Sequence, residues 1–182
     1  MNWAALIVAL VAIERGAELI HARRNTKRLL AQGAIERGAG HYPLIVALHA
    51  AWLVSILVFA PIAEAPAWFW LGVFLLLQTA RFWVLATLGP YWTTRIIVPP
   101  NAPRIRSGPY RFLNHPNYIV VIGEIAVLPL VFGEWQVALV FSALNLALLA
   151  WRVRIENETL AERRTQHHLP SPPFGRRGCE PE

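Results

Sequence analysis

Five apolar runs decide how this chain can fold. They cover residues 2–22, 42–60, 67–88, 117–132 and 135–155. A helix that crosses a bilayer needs about 20 mostly apolar residues. Soluble strands stop at about 8 residues, so runs of 16 to 22 are not strands. Lipid offers no water to open backbone groups, so each run must close its hydrogen bonds within itself. The expected fold is an all-α integral membrane protein of about five transmembrane helices, in a single domain over residues 1–164. The first run is interrupted in its second half by Glu14, Arg15 and Glu18, and the third by Gln78 and Arg81. The fourth is short and contains Glu124.

The basic residues give a topology. Residues 22–41 hold Arg23, Arg24, Lys27, Arg28 and Arg37. Residues 81–118 hold Arg81, Arg95, Arg104, Arg106 and Arg111, and six more follow from Arg152 onward. The short turns near Glu64 and Glu134 hold none. Alternate connections are therefore basic, as a five-span chain with its N-terminus outside and its C-terminus in the cytoplasm requires. Trp68, Trp70 and Trp135 fit an outer aromatic belt, and Trp92 and Trp151 an inner one. The net charge of +6 accompanies only 15% charged residues. Because the arginines flank apolar runs, they point to anionic lipid headgroups and not to nucleic acid. Nothing in the sequence fixes an oligomeric state.

The connection after the third run is rich in Pro99, Pro100, Pro103 and Gly108-Pro109, which forbid one continuous helix. A linker of this length is expected to fold against the cytoplasmic helix ends and line a site. The tail, residues 165–182, carries Pro170, Pro172 and Pro173 and a Gly-Arg-Arg-Gly run, and reads as disordered. Cys179 is the single cysteine. Its C-E-P-E ending lacks the aliphatic middle of a prenylation box.

Polar chemistry concentrates in two places. One is the stretch from Arg104 to Tyr118, R-I-R-S-G-P-Y-R-F-L-N-H-P-N-Y, with Glu124 just beyond it. The other is Arg152 to Leu160, where Arg152 and Glu156 lie four apart and Arg154 and Glu158 follow the same alternation. An ionised Glu124 facing lipid would cost at least about 2.5 kcal/mol, so it belongs in the bundle interior. His115 precedes Pro116 at the mouth of the fourth run, where Asn117 could cap the helix. Glu14, Glu18 and His21 share one face of the first helix. No H-E-x-x-H or cysteine pair supports a metal, and no glycine-rich phosphate loop supports a soluble nucleotide fold.

Gly108-Pro109-Tyr110-Arg111, then His115-Pro116-Asn117-Tyr118, then Glu124, resembles the integral-membrane isoprenylcysteine carboxyl methyltransferase family. Its members carry G-P-Y-R, then R-H-P-x-Y, then an intramembrane glutamate. The close of the fifth run resembles the family's R-x-x-x-x-E-E-x-x-L, read here as Arg152, Glu156, Asn157 and Leu160. The likeness spans residues 104–162. The front half, with R-R-N-T-K-R-L-L and H-Y-P-L-I-V-A-L-H, is similar to a bacterial branch linked to O-methylation of long-chain alkylpyrones and alkylresorcinols. Two positions differ from the motif: Asn114 replaces an arginine and Asn157 replaces the second glutamate.

The resemblance implies a bacterial cytoplasmic-membrane enzyme with a cytoplasmic S-adenosylmethionine pocket formed by the C-terminal half. It implies a lipophilic or prenylated acceptor taken from the membrane lipids. His115, Pro116, Tyr118, Glu156 and Tyr110 would then hold the cofactor, and Arg152 and Glu124 would act on the acceptor side. Asparagine at 157 is no general base at neutral pH, which suits a phenolic or enolic acceptor. Two other readings remain: a sterol-reductase-type enzyme with a nicotinamide, and a non-enzymatic membrane protein.

Overall fold

Each apolar run becomes a helix in the computed structural model, which describes residues 2–37, 40, 42–61, 64–100 and 105–168, with side chains through Ile155. Helix α1 (Trp3–Ala31) is opened by Asn2, whose side-chain oxygen accepts the Ala5 N–H at 3.0 Å. It outruns the expected end at residue 22 because the polar segment that follows holds no glycine or proline until Gly33, at φ 87°. Its 29 residues rise about 43 Å. That exceeds the roughly 30 Å hydrocarbon layer, so its basic end stands clear of the lipid.

Helices α2 (Tyr42–Phe59), α3 (Trp68–Leu88), α4 (Pro116–Leu130) and α5 (Trp135–His168) complete the bundle. Tyr42–Phe59, Trp68–Tyr91 and Trp135–Ile155 are long and apolar enough to cross a membrane. They are apolar all round, yet side chains such as Leu76 (70% exposed) and Val58 (68% exposed) face outward. Such helices have lipid as their solvent, and the chain is an integral membrane protein. Helix α4 is shorter, and α1 carries Glu14, Arg15 and Glu18. Helix α5 continues past residue 155 through His168, and residues 169–182 of the expected tail lie outside the described residues.

One end of the bundle is tied by the Ala67 N–H donating to the Val131 carbonyl at 2.8 Å and by Trp3 meeting Trp68 edge-on at 6.0 Å. The core joins Val8 and Val11 of α1, Trp52 and Ile56 of α2, Phe74 of α3, and Ile125 and Leu128 of α4. Helices α3 and α4 approach closely where a Cβ on Gly123 would lie 2.9 Å from Leu77. One turn further along α3, that approach brings Arg81 beside Glu124.

At the other end the two basic connections are stitched together by a feature the apolar pattern does not announce. Strands β1 (Ile35–Arg37) and β2 (Ile96–Val98) pair antiparallel, with Glu36 opposite Ile97. Arg95 grips Glu36 at 3.0 and 3.1 Å and lies 4.7 Å over the Tyr42 ring. Asn25 on α1 donates to the carbonyls of Gly89 and Trp92, and Arg28 to that of Pro90. Three expectations are corrected by this end of the molecule. Trp92 does not sit in an aromatic belt but is 4% exposed, packed with Ala22 and Val84. Arg81 lies within α3, as its place in the third run implies, and does not count toward the basic connection, which keeps four basic residues. Asn117 does not cap α4: His115 holds the cap position and Pro116 the first turn.

The turn Gly108–Arg111 docks on α3 through Gly108, at φ +54°, where a Cβ would meet Thr87 Oγ1 at 2.5 Å and Trp83 Nε1 at 3.2 Å. Gly133 also has a positive φ of 77° but faces open space. Gly133→Ala is expected to destabilise by about 1 kcal/mol through backbone strain alone. Gly108→Ala adds a clash of about 1–3 kcal/mol. Thermal unfolding in detergent should rank the two in that order, and equal losses would contradict the docking.

Candidate functional site

Six polar residues of α1, α3 and α4 converge on one network. Glu14 and Glu18 lie four apart on α1, and Gln78 and Arg81 three apart on α3, so each pair shares a face. Arg81 holds Glu18 with two bonds of 2.6 Å, from Nε and one terminal nitrogen, and reaches Glu124 on α4 at 3.0 Å with the other. Arg15 donates to Glu18 at 3.2 Å, to Gln78 at 3.2 Å and to Glu124 at 3.3 Å. It also pairs with Glu14 at 3.2 Å, while Gln78 donates to Glu14. Glu18, Arg81 and Glu124 are all at most 7% exposed. Burying such charges is costly unless each is paired and hydrogen-bonded, and here every carboxylate meets a guanidinium. Helices α1, α3 and α4 are thereby locked together in a layer where water is scarce.

Arg15, Glu18 and Arg81 also form part of the wall of a cavity of about 300 Å³. That is the lower end of the size range of small-molecule sites. Its other walls are Ile45, Val46, His49 and Leu53 of α2, Val121 of α4, and Leu148 and Leu149 of α5. Trp92, Thr93, Thr94, Tyr42 and Arg152 close it toward the end that carries the strands. Three lining residues hold buried polar atoms with no hydrogen-bond partner among the described residues: Trp92 Nε1, Asn117 Oδ1 and Asn145 Nδ2. Asn145 is 3% exposed. An orphaned buried donor or acceptor costs about 1–3 kcal/mol, and a bound polar molecule would relieve it. The cavity is thus apolar along its length, with donors and acceptors left open.

Arg152 links this cavity to the motif stretch. Its Nε donates to Tyr118 Oη at 2.8 Å and one terminal nitrogen donates to the Thr94 carbonyl at 2.9 Å. The guanidinium lies 5.6 Å over the Tyr118 ring, and His115 stacks on the same ring at 5.1 Å and 5°. Pro116 is buried beneath them. So the structure brings His115, Pro116, Tyr118 and Arg152 together. Tyr110 packs instead with Ala22, Val84 and Trp92 and is not among the residues lining the cavity. Glu124 sits in the ion network, about a turn and a half deeper than Tyr118. The side chains of Glu156 and Asn157, and all of Arg104, lie outside the described residues. His21 pairs with Asn25 at 3.1 Å and takes no part in the network.

Sequence reasoning does not single out Arg15, Gln78, Arg81, His49, Asn117 or Asn145 as site residues. The signal is present all the same: a polar side chain inside an apolar run is a site candidate by default. Among the described residues no group of three or more His, Cys or acidic side chains could hold a metal.

The model of the isoprenylcysteine carboxyl methyltransferase (ICMT) family matches residues 70–162, about half of the chain. The chain is 39% identical over 166 residues to the uncharacterized protein YpbQ of Bacillus subtilis (strain 168), covering 89% of this chain and 98% of that one. It is 28% identical over 148 residues to an uncharacterized protein of Haemophilus influenzae, covering 76% and 83% respectively. No solved structure matches.

The network makes Glu124→Gln a sharp test of its pairing. A glutamine can accept from one arginine but turns its own donors toward the other. Stability in detergent should fall by about 1–3 kcal/mol, measured by thermal unfolding, and an unchanged midpoint would contradict the pairing.

Proposed function

Because the chain belongs to the isoprenylcysteine carboxyl methyltransferase family, we propose that it is a membrane methyltransferase that moves a methyl group from S-adenosylmethionine to an oxygen of a lipophilic acceptor. The observation that carries this reading is the mostly apolar cavity with unpaired polar atoms, joined through Arg152 to the His115–Tyr118 stack. When bound, the cofactor supplies an electrophilic methyl on a sulfonium.

The residues present suit that group. The stacked rings of His115 and Tyr118 offer faces to a cation or a flat base, and Pro116 sets their backbone. Glu156, one turn beyond Arg152 on α5, adds a carboxylate on the same helix. Tyr110 supports the rim from behind Trp92. Arg152, fixed by Tyr118 and Thr94, orients the acceptor oxygen or balances its charge. Holding two molecules of opposite solubility in line is mainly a matter of positioning, which such a cavity provides.

The acceptor class follows from what the chain lacks. Asn157 brings no carboxylate to the family's second acidic position, which favours a long-chain phenol or enol over a weakly acidic alcohol. Apolar walls from α2 and α5 suit a long alkyl chain. The protein is read as residing in the bacterial cytoplasmic membrane, with the stranded end and the C-terminus facing the cytoplasm.

Purified protein should transfer labelled methyl from S-adenosylmethionine to lipid extract, and one lipid class should gain the mass of one CH₂. No transfer together with no cofactor binding by calorimetry would end the reading, and binding of a nicotinamide instead would favour a reductase. Arg152→Lys loses the planar fork that holds Tyr118 and Thr94 from separate nitrogens, and should lower kcat/KM on the order of 10²-fold. For orientation, Cys179 is the single cysteine. A membrane-impermeant maleimide should label it in inverted vesicles and not in intact cells, and the reverse pattern would contradict the topology.

A further inference from the structure

The methyltransferase reading leaves one requirement unmet: something must take the proton of the acceptor hydroxyl. Arg15, Arg81 and Arg152 cannot, because guanidinium has no acceptor. Glu18 is already held by two bonds from Arg81 and one from Arg15. Asn117, Asn145 and Trp92 are not bases.

His49 is different. Its Nδ1 lies 2.8 Å from the Ile45 carbonyl, one turn back on α2. A carbonyl oxygen only accepts, so Nδ1 carries the hydrogen, and Nε2 is left with a bare lone pair. Trp52, edge-on to the imidazole at 6.3 Å, supports its orientation. Among the described residues Nε2 takes no hydrogen bond, and His49 lines the cavity. A tautomer fixed by a backbone carbonyl, on a histidine that lines a ligand-sized cavity, is the arrangement a general base needs.

The geometry points to His49 as the general base of the transfer, a catalytic residue supplied by α2 and lying outside the C-terminal motif. This rests on the methyltransferase reading and extends it. The acceptor hydroxyl gives its proton to Nε2 as its oxygen bonds to the methyl carbon. The sulfur keeps the electron pair of the broken S–C bond and leaves as a neutral thioether. The products are the methylated acceptor, S-adenosylhomocysteine and an imidazolium, which returns its proton to water. The same cavity is lined by Arg15 and Glu18 of α1, Arg81 of α3 and Arg152 of α5, with Tyr42 on the helix of His49. The carboxylates of the ion network share the bundle interior with the cation as it forms.

The experiment uses the full-length protein in detergent or nanodiscs, S-adenosylmethionine, and a series of long-chain alkylresorcinols whose hydroxyl is made progressively more acidic by ring fluorination. His49→Asn keeps a donor for the Ile45 carbonyl but has no base. The expected result is a kcat lower by on the order of 10²–10⁴-fold, with the calorimetric Kd for the cofactor and the KM for the resorcinol unchanged. The deficit should shrink as the hydroxyl becomes more acidic, because an ionised acceptor needs no base. His49→Gln, which accepts a hydrogen bond but cannot take the proton, should behave the same and replaces the asparagine variant if that one does not fold. Wild-type turnover in either folded variant would overturn the assignment. So would a deficit that ignores acceptor acidity, or one that comes with lost cofactor binding. A wild-type protein that binds the cofactor but methylates none of the resorcinols would overturn the phenolic acceptor and the role of His49 with it, and no cofactor binding as well would end the methyltransferase reading itself.

Discussion

A guanidinium inside an apolar bundle must find anions or it will not stay there, and Arg81 finds two. Its fork closes on Glu18 of α1 and its remaining nitrogen reaches Glu124 of α4. Arg15 repeats the link from the α1 side. Between helices in lipid there is no hydrophobic driving force of the kind water provides, so packing and polar contacts carry the association. The close approach of Gly123 to Leu77 supplies the packing, and the ion network supplies the register. Helix α2 stands outside the network and buries only Trp52 and Ile56 fully. It serves as the outer wall of a cavity whose other walls are fixed.

That division explains how one small chain can present two surfaces to two kinds of molecule. The stranded end is polar and pinned by short contacts: Arg95 to Glu36, Asn25 to Gly89 and Trp92, Arg152 to Thr94. The cavity behind it is mostly aliphatic, with a few unpaired polar atoms. Tyr118 and Arg152 join the two. Under the proposed function, a water-soluble cofactor would meet the polar end and a lipid acceptor the aliphatic cavity.

Much of this is legible in the sequence, for physical reasons. Helix number and class follow from run length, because lipid leaves the backbone no alternative. The grouping of His115, Tyr118 and Arg152 follows from the motif, and the burial of Glu124 from the cost of a charge in lipid. What escapes is pairing at long range. Arg81 reads both as a break in the third run and as the first of the basic residues after it, because it lies only seven residues before the end of α3. Its partners sit 63 and 43 residues away, and no local pattern announces them. The β1–β2 ribbon escapes because three-residue strands carry no periodicity worth reading. Trp92 reads as a belt residue because tryptophan favours interfaces, whereas the loop folds back and buries it. Helix α1 reads as shorter than it is because polar residues mimic a helix end, although only Gly33 breaks it.

The Arg81 pairing organises the bundle around the cavity. A double-mutant cycle between Glu18→Gln and Arg81→Gln, read by unfolding in lipid nanodiscs, tests it most directly. Each single change leaves its partner with one remaining ion-pair contact, Arg81 with Glu124 or Glu18 with Arg15, so each should cost about 1–3 kcal/mol. The double change removes both charges, and its cost should fall short of the sum by up to about 3 kcal/mol. Costs that simply add would mean that the two side chains do not depend on each other, and that something other than Arg81 holds α1, α3 and α4 in register.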